Sequence, residues 1–118
     1  MTVEADIFTA LRGLTDDRVF PDVVDLGTAR PYITYQQIGG EALSYVDDTL
    51  PNAKHGRFQI EVWADTRLQA TAIALQIEAL LVVCTAFQAR PIGAHASKHE
   101  PDVHQFGTLQ DFSIHSPR

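Results

Sequence analysis

Apolar residues occupy every second position between residues 57 and 64, which run Arg-Phe-Gln-Ile-Glu-Val-Trp-Ala. Successive side chains of a β-strand point to opposite faces of a sheet, so this alternation predicts a strand with one core-facing side. The other side carries the odd-numbered residues, which are Arg57, Gln59, Glu61 and Trp63. A second run, residues 32–38, is rich in β-branched and aromatic residues and also predicts a strand.

Two segments repeat their apolar residues with helical spacing. Residues 3–14 predict a first helix with one buried stripe, formed by Val3, Ile7, Leu11 and Leu14. Residues 67–84 predict a second helix that follows a cap at Asp65-Thr66 and is apolar on two opposite sides. One side holds Leu68, Ala72, Leu75, Ala79, Val82 and Val83, and the other holds Ala70, Ile73, Ala74, Ile77, Leu80, Leu81 and Cys84. We expect the sheet and the first helix to cover these two sides.

The remaining segments complete a prediction of the fold. Short extended pieces with proline at their bends precede the strand at residue 32, and the tail predicts a hairpin with arms at residues 87–96 and 105–115. The order of elements indicates a single α+β domain over residues 1–118. We predict two helices packed on one face of a largely antiparallel four- to five-stranded sheet with a C-terminal hairpin.

The longest irregular segment runs from Gly39 to His55. Long loops in compact domains are commonly functional or mobile. This one contains more apolar residues than a solvated loop needs, namely Leu43, Tyr45, Val46 and Leu50. They either fold back on their own domain or meet a neighbouring protein, and the second alternative makes them candidate interface residues.

Composition excludes several classes of protein. The chain has 118 residues, nine Lys and Arg against 15 Asp and Glu, a formal charge of −6 and one cysteine. A disulfide scaffold is excluded, no stretch approaches a membrane span, and the acidic N-terminus is unlike a signal peptide. The chain is therefore expected in the cytoplasm. Its negative charge also argues against tight nucleic-acid binding, which depends on neutralising phosphates.

Candidate catalytic chemistry is sparse. The chain has neither a phosphate-binding glycine loop nor a nucleophile elbow, and Cys84 lies on an apolar helix side where a buried hydrophobe is expected. Glu61 and Asp65 do not form a predictable carboxylate pair. Four histidines near the C-terminus match no closed zinc spacing, and these are His95, His99, His104 and His115. We expect no catalytic residue, no metal and no cofactor. The alternative is a small enzyme or a metal- or ligand-binding domain that uses this histidine-rich hairpin with Glu61 or Asp65.

Trp63 has two interpretations, because it lies with polar residues on the side opposite the core. The long loop or the terminal hairpin could cover it. Alternatively it is an aromatic anchor of a subunit interface, surrounded by Arg57, Gln59 and Glu61, as in many interface hot spots.

Together the elements resemble those of a known family. The order of helix, strands, acidic loop, helix and closing strand is similar to that of the small tail-completion proteins of bacteriophages and prophages, including the lambda-type tail terminators. The resemblance is carried by residues 30–36 (Arg-Pro-Tyr-Ile-Thr-Tyr-Gln), residues 57–64 leading into the helix at Thr66, and residues 111–114 (Asp-Phe-Ser-Ile).

The resemblance implies a structural protein and no catalytic residue. Such terminators assemble as a ring, commonly a hexamer, that caps the finished tail tube and joins it to the head connector. The implied partners are other copies of the chain, the tail-tube protein and a head-completion protein, with no membrane. The implied location is the host cytoplasm during assembly and then the virion tail or head–tail junction.

Overall fold

The computed structural model describes residues 2–25, 27–42 and 52–118, and within these ranges it shows two helices and five strands. Short 3₁₀ turns follow the first helix at Arg12–Leu14 and join the last two strands at Pro101–Val103. In chain order the elements are α1 (Val3–Leu11), β1 (Val19–Pro21), β2 (Tyr32–Gly39), β3 (Ala53–Ala64), α2 (Arg67–Val83), β4 (Gln88–Glu100) and β5 (Gln105–Pro117). The predicted α+β class is confirmed.

The five strands form one sheet in the order β1-β2-β3-β5-β4. The expectation of a largely antiparallel sheet is wrong, because the sheet is mixed: β1 runs parallel to β2, whereas the other three neighbouring pairs are antiparallel. The connection over residues 22–31 is longer than a hairpin turn, so it can return the chain to the end of the sheet where β1 starts. Strands β3 and β4 flank β5, and α2 connects them.

One face of the sheet packs against both helices and forms the core. On β3 this face carries Phe58, Ile60 and Val62, each at most 2% exposed. Buried side chains of both helices join the same cluster, including Ile7 of α1 and Ile77 of α2. Helix α1 is shorter than predicted, because it ends at Leu11 and the 3₁₀ turn takes up the last three residues of the expected helix. We call the opposite side of the sheet the outer sheet face.

Strand β3 begins four residues earlier than the alternating pattern indicates. It pairs with β5 without interruption from Ala53 to Ala64, so part of the predicted loop from Gly39 to His55 belongs to the sheet. Gly56 lies in this extension, and a Cβ there would come within 2.7 Å of the Phe58 ring. This strand end therefore lacks the apolar side chain by which a sequence pattern could reveal it.

The last two strands form the predicted C-terminal hairpin. Strand β4 is longer than the expected arm, and its pairing with β5 shifts register between Ile92 and Ala96. Gly93 adopts a φ of 76° at this bulge. Because β4 is the last strand of the sheet, the bulge interrupts an otherwise free edge.

Helix α2 covers the sheet with only one of its two apolar sides. The Thr66 hydroxyl caps it by accepting a hydrogen bond from the Gln69 N–H at 3.1 Å. The side that packs on the sheet buries Ala70, Ile73, Ala74, Ile77 and Leu81. The expectation of a partner for the other side is wrong within the described residues, since α1 is short and packs into the same core as the first side. Neither described helix combines the length and the apolarity that crossing a membrane requires.

Candidate functional site

The outer sheet face brings four sequence-predicted residues together in one row on β3, namely Arg57, Gln59, Glu61 and Trp63. The two charged members are paired within the chain. Arg57 Nη2 lies 2.7 Å from Asp111 Oδ2 on β5, and Lys98 Nζ on β4 lies 3.0 Å from Glu61 Oε1. These cross-strand pairs give the face a fixed pattern of both charge signs that a partner surface could match.

Trp63 is covered by its own chain, as in the first of its two interpretations. Its side chain is only 8% exposed, and it stands between Tyr32 on β2 and Gly107 on β5 in the strand register. The indole Nε1–H donates to Glu61 Oε2 at 3.3 Å, and the Lys98 ammonium lies 5.5 Å from the ring centre. The prediction that it anchors an interface stays a prediction.

His55 forms a polar cluster at one end of this face. Its Nδ1 accepts a hydrogen bond from the Glu41 backbone N–H at 2.8 Å, and its Nε2 lies 2.6 Å from Ser113 Oγ. Because Nδ1 is the acceptor, a neutral ring carries its proton on Nε2 and donates it to the Ser113 hydroxyl. A ring in this state cannot remove a proton from Ser113, so the pair lacks the arrangement of an activated nucleophile. His115 packs against the His55 ring at 4.5 Å between centres.

The other histidines occupy separate environments. His95 lies in the β4 bulge, His104 in the turn between β4 and β5, and His99 stacks on Phe106 at 4.6 Å between ring centres. In the described ranges, no three His, Cys, Asp or Glu side chains are grouped so that they could hold a metal ion. Cys84 lies at the end of α2 and is partly buried against the core. The alternative of a histidine-based site therefore gains no support from the geometry.

Asp65 is held in an ion pair near the start of α2. Arg30 Nε lies 2.7 Å from Asp65 Oδ1, and Arg30 Nη1 donates to Gln105 Oε1 at 3.3 Å. This arrangement joins the segment before β2, the end of β3 and the start of β5. Asp65 therefore has a structural role, because its carboxylate pairs with the Arg30 guanidinium and not with a second acid.

Two tyrosines of β2, Tyr32 and Tyr35, have raised pKa values. Burial is the main cause of the raised pKa of Tyr32, and a hydrogen bond with Gln105 and the charge of Arg30 partly offset it. Burial also raises the pKa of Tyr35, with smaller contributions from Glu4 and Asp22. Both phenols therefore remain protonated at neutral pH, and that of Tyr32 also hydrogen-bonds with Gln105.

The solvent side of α2 is a second candidate surface, which sequence reasoning assigned to the interior. Leu68 is 82% exposed, Leu75 56% and Val82 50%. We define the outer α2 face as the line of every third or fourth residue on this side, namely Leu68, Ala72, Leu75, Ala79 and Val82. The sequence indicated this face, because α2 is apolar on two opposite sides. The pattern does not specify whether the partner of the second side belongs to the same chain or to another.

The predicted interface residues of the long loop lie outside the described residues. These are Leu43, Tyr45, Val46 and Leu50. Their role in an interface stays a prediction from the sequence.

Comparison with solved structures finds the same fold in a chain of a gene transfer agent particle. One chain of a structure titled "Virion of native gene transfer agent (GTA) particle" superposes with a TM-score of 0.61 and 16% identity, covering 98% of this chain and 95% of that chain. At this identity the likeness establishes the fold alone. A search of curated protein sequences finds no match.

Comparison with family profiles identifies the class of protein. The profile of the family "Tail completion protein gp17" matches residues 5–105, which is most of the chain. This match places the protein among the structural proteins of phage tails. It belongs to the tail completion protein gp17 family, and the family resemblance expected from the sequence is confirmed.

Proposed function

We propose that this protein completes the phage or prophage tail by forming a ring that caps the tail tube and joins it to the head connector. The observation that carries the proposal is the family match over residues 5–105. The fold it shares with a chain of the gene transfer agent virion supports a place in a particle of this kind. Its partners are other copies of itself, the tail-tube protein and a head-completion protein.

The described surfaces suit docking better than catalysis. The outer sheet face presents internally paired charges, and His55 is bonded so that it cannot activate Ser113. A formal charge of −6 suits a ring through which DNA passes without being held, because tight binding depends on basic side chains. We therefore assign the protein a role in assembly in the cytoplasm and afterwards in the particle.

Two regions are proposed as contact surfaces. The first is the row of Arg57, Gln59, Glu61 and Trp63, in which the charged side chains carry specificity and Trp63 supports the sheet beneath them. The second is the loop residues Leu43, Tyr45, Val46 and Leu50, whose apolar character favours contact with a neighbour. A ring requires two different surfaces on each copy, since only a head-to-tail contact can close into a ring of more than two identical subunits.

Deleting the gene from the phage or prophage genome tests the proposal. We expect induced cells to produce filled heads and separate tails, including tails of uncontrolled length, in electron micrographs. Adding the purified protein to this lysate should restore joined particles, with a ring of density at the head-proximal end of the tail. Normal particles formed without the gene would contradict the proposal. A restored particle with the protein elsewhere, located with an antibody, would contradict the assignment to the tail end.

A further inference from the structure

The outer α2 face combines high exposure with an absence of charge. The helix has only two charged residues, and both are directed to the sheet. Arg67 Nη1 donates to the Gly107 carbonyl at 2.6 Å, and Glu78 Oε1 accepts from Gln110 Nε2 at 2.9 Å. The side turned to solvent is left with Leu, Val, Ala, Thr and Gln side chains. Helices that face water normally show the reverse arrangement.

The spacing along this face matches a helix–helix contact. Its five members are separated by four, three, four and three residues, which is the period that keeps one line of side chains facing a partner helix. Large and small residues alternate along the line, in the order Leu, Ala, Leu, Ala, Val. Alanine at alternate positions lets two helices approach to the short end of the usual 8–10 Å range.

We propose that two copies of the chain pair through their outer α2 faces, with the two helices antiparallel. With the two-fold axis midway between Leu75 and Ala79 along the helix, the large residues inside the overlap meet small ones, and Leu68 lies beyond the overlap. Leu75 then lies beside Ala79 of the partner subunit, and Val82 lies beside Ala72 of the partner subunit. Parallel pairing would set leucine against leucine and leave gaps at the alanines, which costs packing energy.

A second copy fits this face better than another element of the described chain does. Among the described residues, α1 is the other α-helix, and its solvent side carries Glu4 and Thr9, with Arg12 directly after its end, so it offers no apolar line. The residues that flank the α2 line are Gln69, Thr71, Gln76, Glu78 and Val83, of which the single charged one is bonded to Gln110. A two-fold contact therefore brings no like charges together, which would otherwise oppose self-pairing.

The pairing goes beyond the proposed ring, because it joins identical surfaces and closes at two copies. It gives the unassembled chain a form in which its apolar helix face is covered. The helix of 17 residues is about 25 Å long. A contact of this length covers less than the roughly 800 Å² per partner of a stable interface, so we expect a dissociation constant on the order of micromolar or weaker.

Sedimentation equilibrium of the purified full chain over a concentration series tests the pairing. We expect a reversible monomer–dimer equilibrium in the wild type and at least a tenfold weaker dimer in Leu75→Lys, whose substituted position is solvent-exposed. Ala72→Leu separates specific packing from general stickiness. It should weaken the dimer because it fills the space for Val82 of the partner subunit, although it adds apolar surface. Val23→Lys is the matched control, since Val23 is 84% exposed and lies outside α2, and it should leave the equilibrium unchanged.

A cross-linking measurement tests the two-fold geometry. In a Cys84→Ala background, Leu75→Cys should be linked to the same position of a second copy by a short bismaleimide, whereas Thr9→Cys should not. Circular dichroism and the unfolding midpoint confirm that each variant is folded. A wild-type chain that stays monomeric would overturn the pairing. If Leu75→Lys also destabilised that monomer, the helix face would be covered by the chain itself. The pairing would equally be overturned by a dimer that Ala72→Leu strengthens, or by a larger assembly in which the Leu75→Cys variant forms no cross-link between copies. Since the ring is tested on tails, either proposal can fail without the other.

Discussion

At the scale of single residues, the outer sheet face depends on a fit between one large and one absent side chain. Trp63 and Gly107 are opposite each other on β3 and β5. The indole ring occupies the space above Gly107, so the burial of Trp63 requires glycine at that position. The alternating pattern predicted the strand and the side on which Trp63 lies. It could not predict the glycine, because its partner is 44 positions away in sequence and is brought close only by the register.

Replacing Gly107 with alanine should therefore destabilise the fold. A Cβ at this position would lie 2.7 Å from Trp63 Cε3 and 2.7 Å from the Val62 carbonyl oxygen. We expect Gly107→Ala to lower the free energy of unfolding by about 1–3 kcal/mol, as overpacking typically does. The control is Gly13→Ala, where a Cβ would meet nothing within 4 Å, and this change should be neutral or slightly stabilising. Equal stability of the two variants in urea unfolding would show that the fit is unimportant.

The buried tyrosines predict a loss of stability at high pH. Below about pH 10 a phenol is protonated in both the folded and the unfolded chain, so the stabilisation from its raised pKa is fully present. Above that pH the unfolded chain loses the proton first, and the free energy of unfolding falls until the folded-state pKa is passed. Tyr32 and Tyr35 both have pKa values raised by burial.

We expect the double variant Tyr32→Phe/Tyr35→Phe to show a smaller fall in unfolding free energy between pH 9 and 11 than the wild type. Urea unfolding at each pH measures this difference in slope, and tyrosinate absorbance follows the ionisation directly. The test is the slope of the unfolding free energy against pH and not its absolute value, because the phenylalanines also change packing. Identical slopes would mean that the two phenols ionise as readily in the folded chain as in the unfolded one.

At the scale of elements, a buried amide joins α2 to the edge of the sheet. Gln110 on β5 is 6% exposed, and its Nε2 donates to Glu78 Oε1 on the helix and to the Gly93 carbonyl, each at 2.9 Å. One side chain thus links β5, α2 and the β4 bulge. Buried amides are stable only when such bonds are made.

Removing this amide should loosen both attachments. We expect Gln110→Ala to lower the free energy of unfolding by about 1–3 kcal/mol, because two hydrogen bonds of about 0.5–1.5 kcal/mol each are lost. Hydrogen exchange should rise in α2 and around Gly93. The matched control is Gln36→Ala on the exposed outer part of β2, which should change stability by less than about 0.5 kcal/mol. Unchanged exchange in α2 would indicate that packing alone holds the helix in place.

The elements themselves were largely predictable, and the misses have physical causes. Periodicity located α1, α2 and the main strands, because each has a continuous buried side. It missed the start of β3 because Gly56 contributes no side chain. It also assigned the outer α2 face to the interior, since an apolar line on a helix looks the same whether its partner is in the same chain or in another. The alternating pattern predicted that Arg57, Gln59, Glu61 and Trp63 share one side of β3. It could not predict that Arg57 pairs with Asp111, because that contact depends on β5 lying next to β3.

At the scale of the whole molecule, strand order and charge pattern decide how copies and partners can meet. The sheet order places β5 between β3 and β4, which no local pattern reveals. That order sets the charges of three strands side by side on the outer sheet face. Strand β3 contributes the positive member of one ion pair, Arg57 with Asp111. It contributes the negative member of the other, Glu61 with Lys98.

Exchanging one pair tests whether partners read this pattern. The Arg57 side chain is 47% exposed and that of Asp111 19%. The double variant Arg57→Asp/Asp111→Arg keeps an ion pair between the two strands, so we expect the fold to be retained with a stability change of about 1 kcal/mol. If a partner docks on this face, the reversed polarity should reduce the restoration of joined particles in the lysate by at least about tenfold. Arg12→Asp/Asp17→Arg, which exchanges a surface pair outside the sheet, should restore particles normally. Equal restoration by both variants would remove the outer sheet face from the interface.

The bulge in β4 has a consequence for how separate copies of the protein behave in solution. A long straight strand at the border of a sheet offers its free backbone groups to any other extended chain, and repeated addition of this kind leads to fibres. Here the register shift between Ile92 and Ala96 bends that border, Pro91 provides no N–H, and Lys98 adds a charge. Separate copies of the chain are therefore protected from templating one another through their backbones. Their association is left to side chains, which can be specific and reversible.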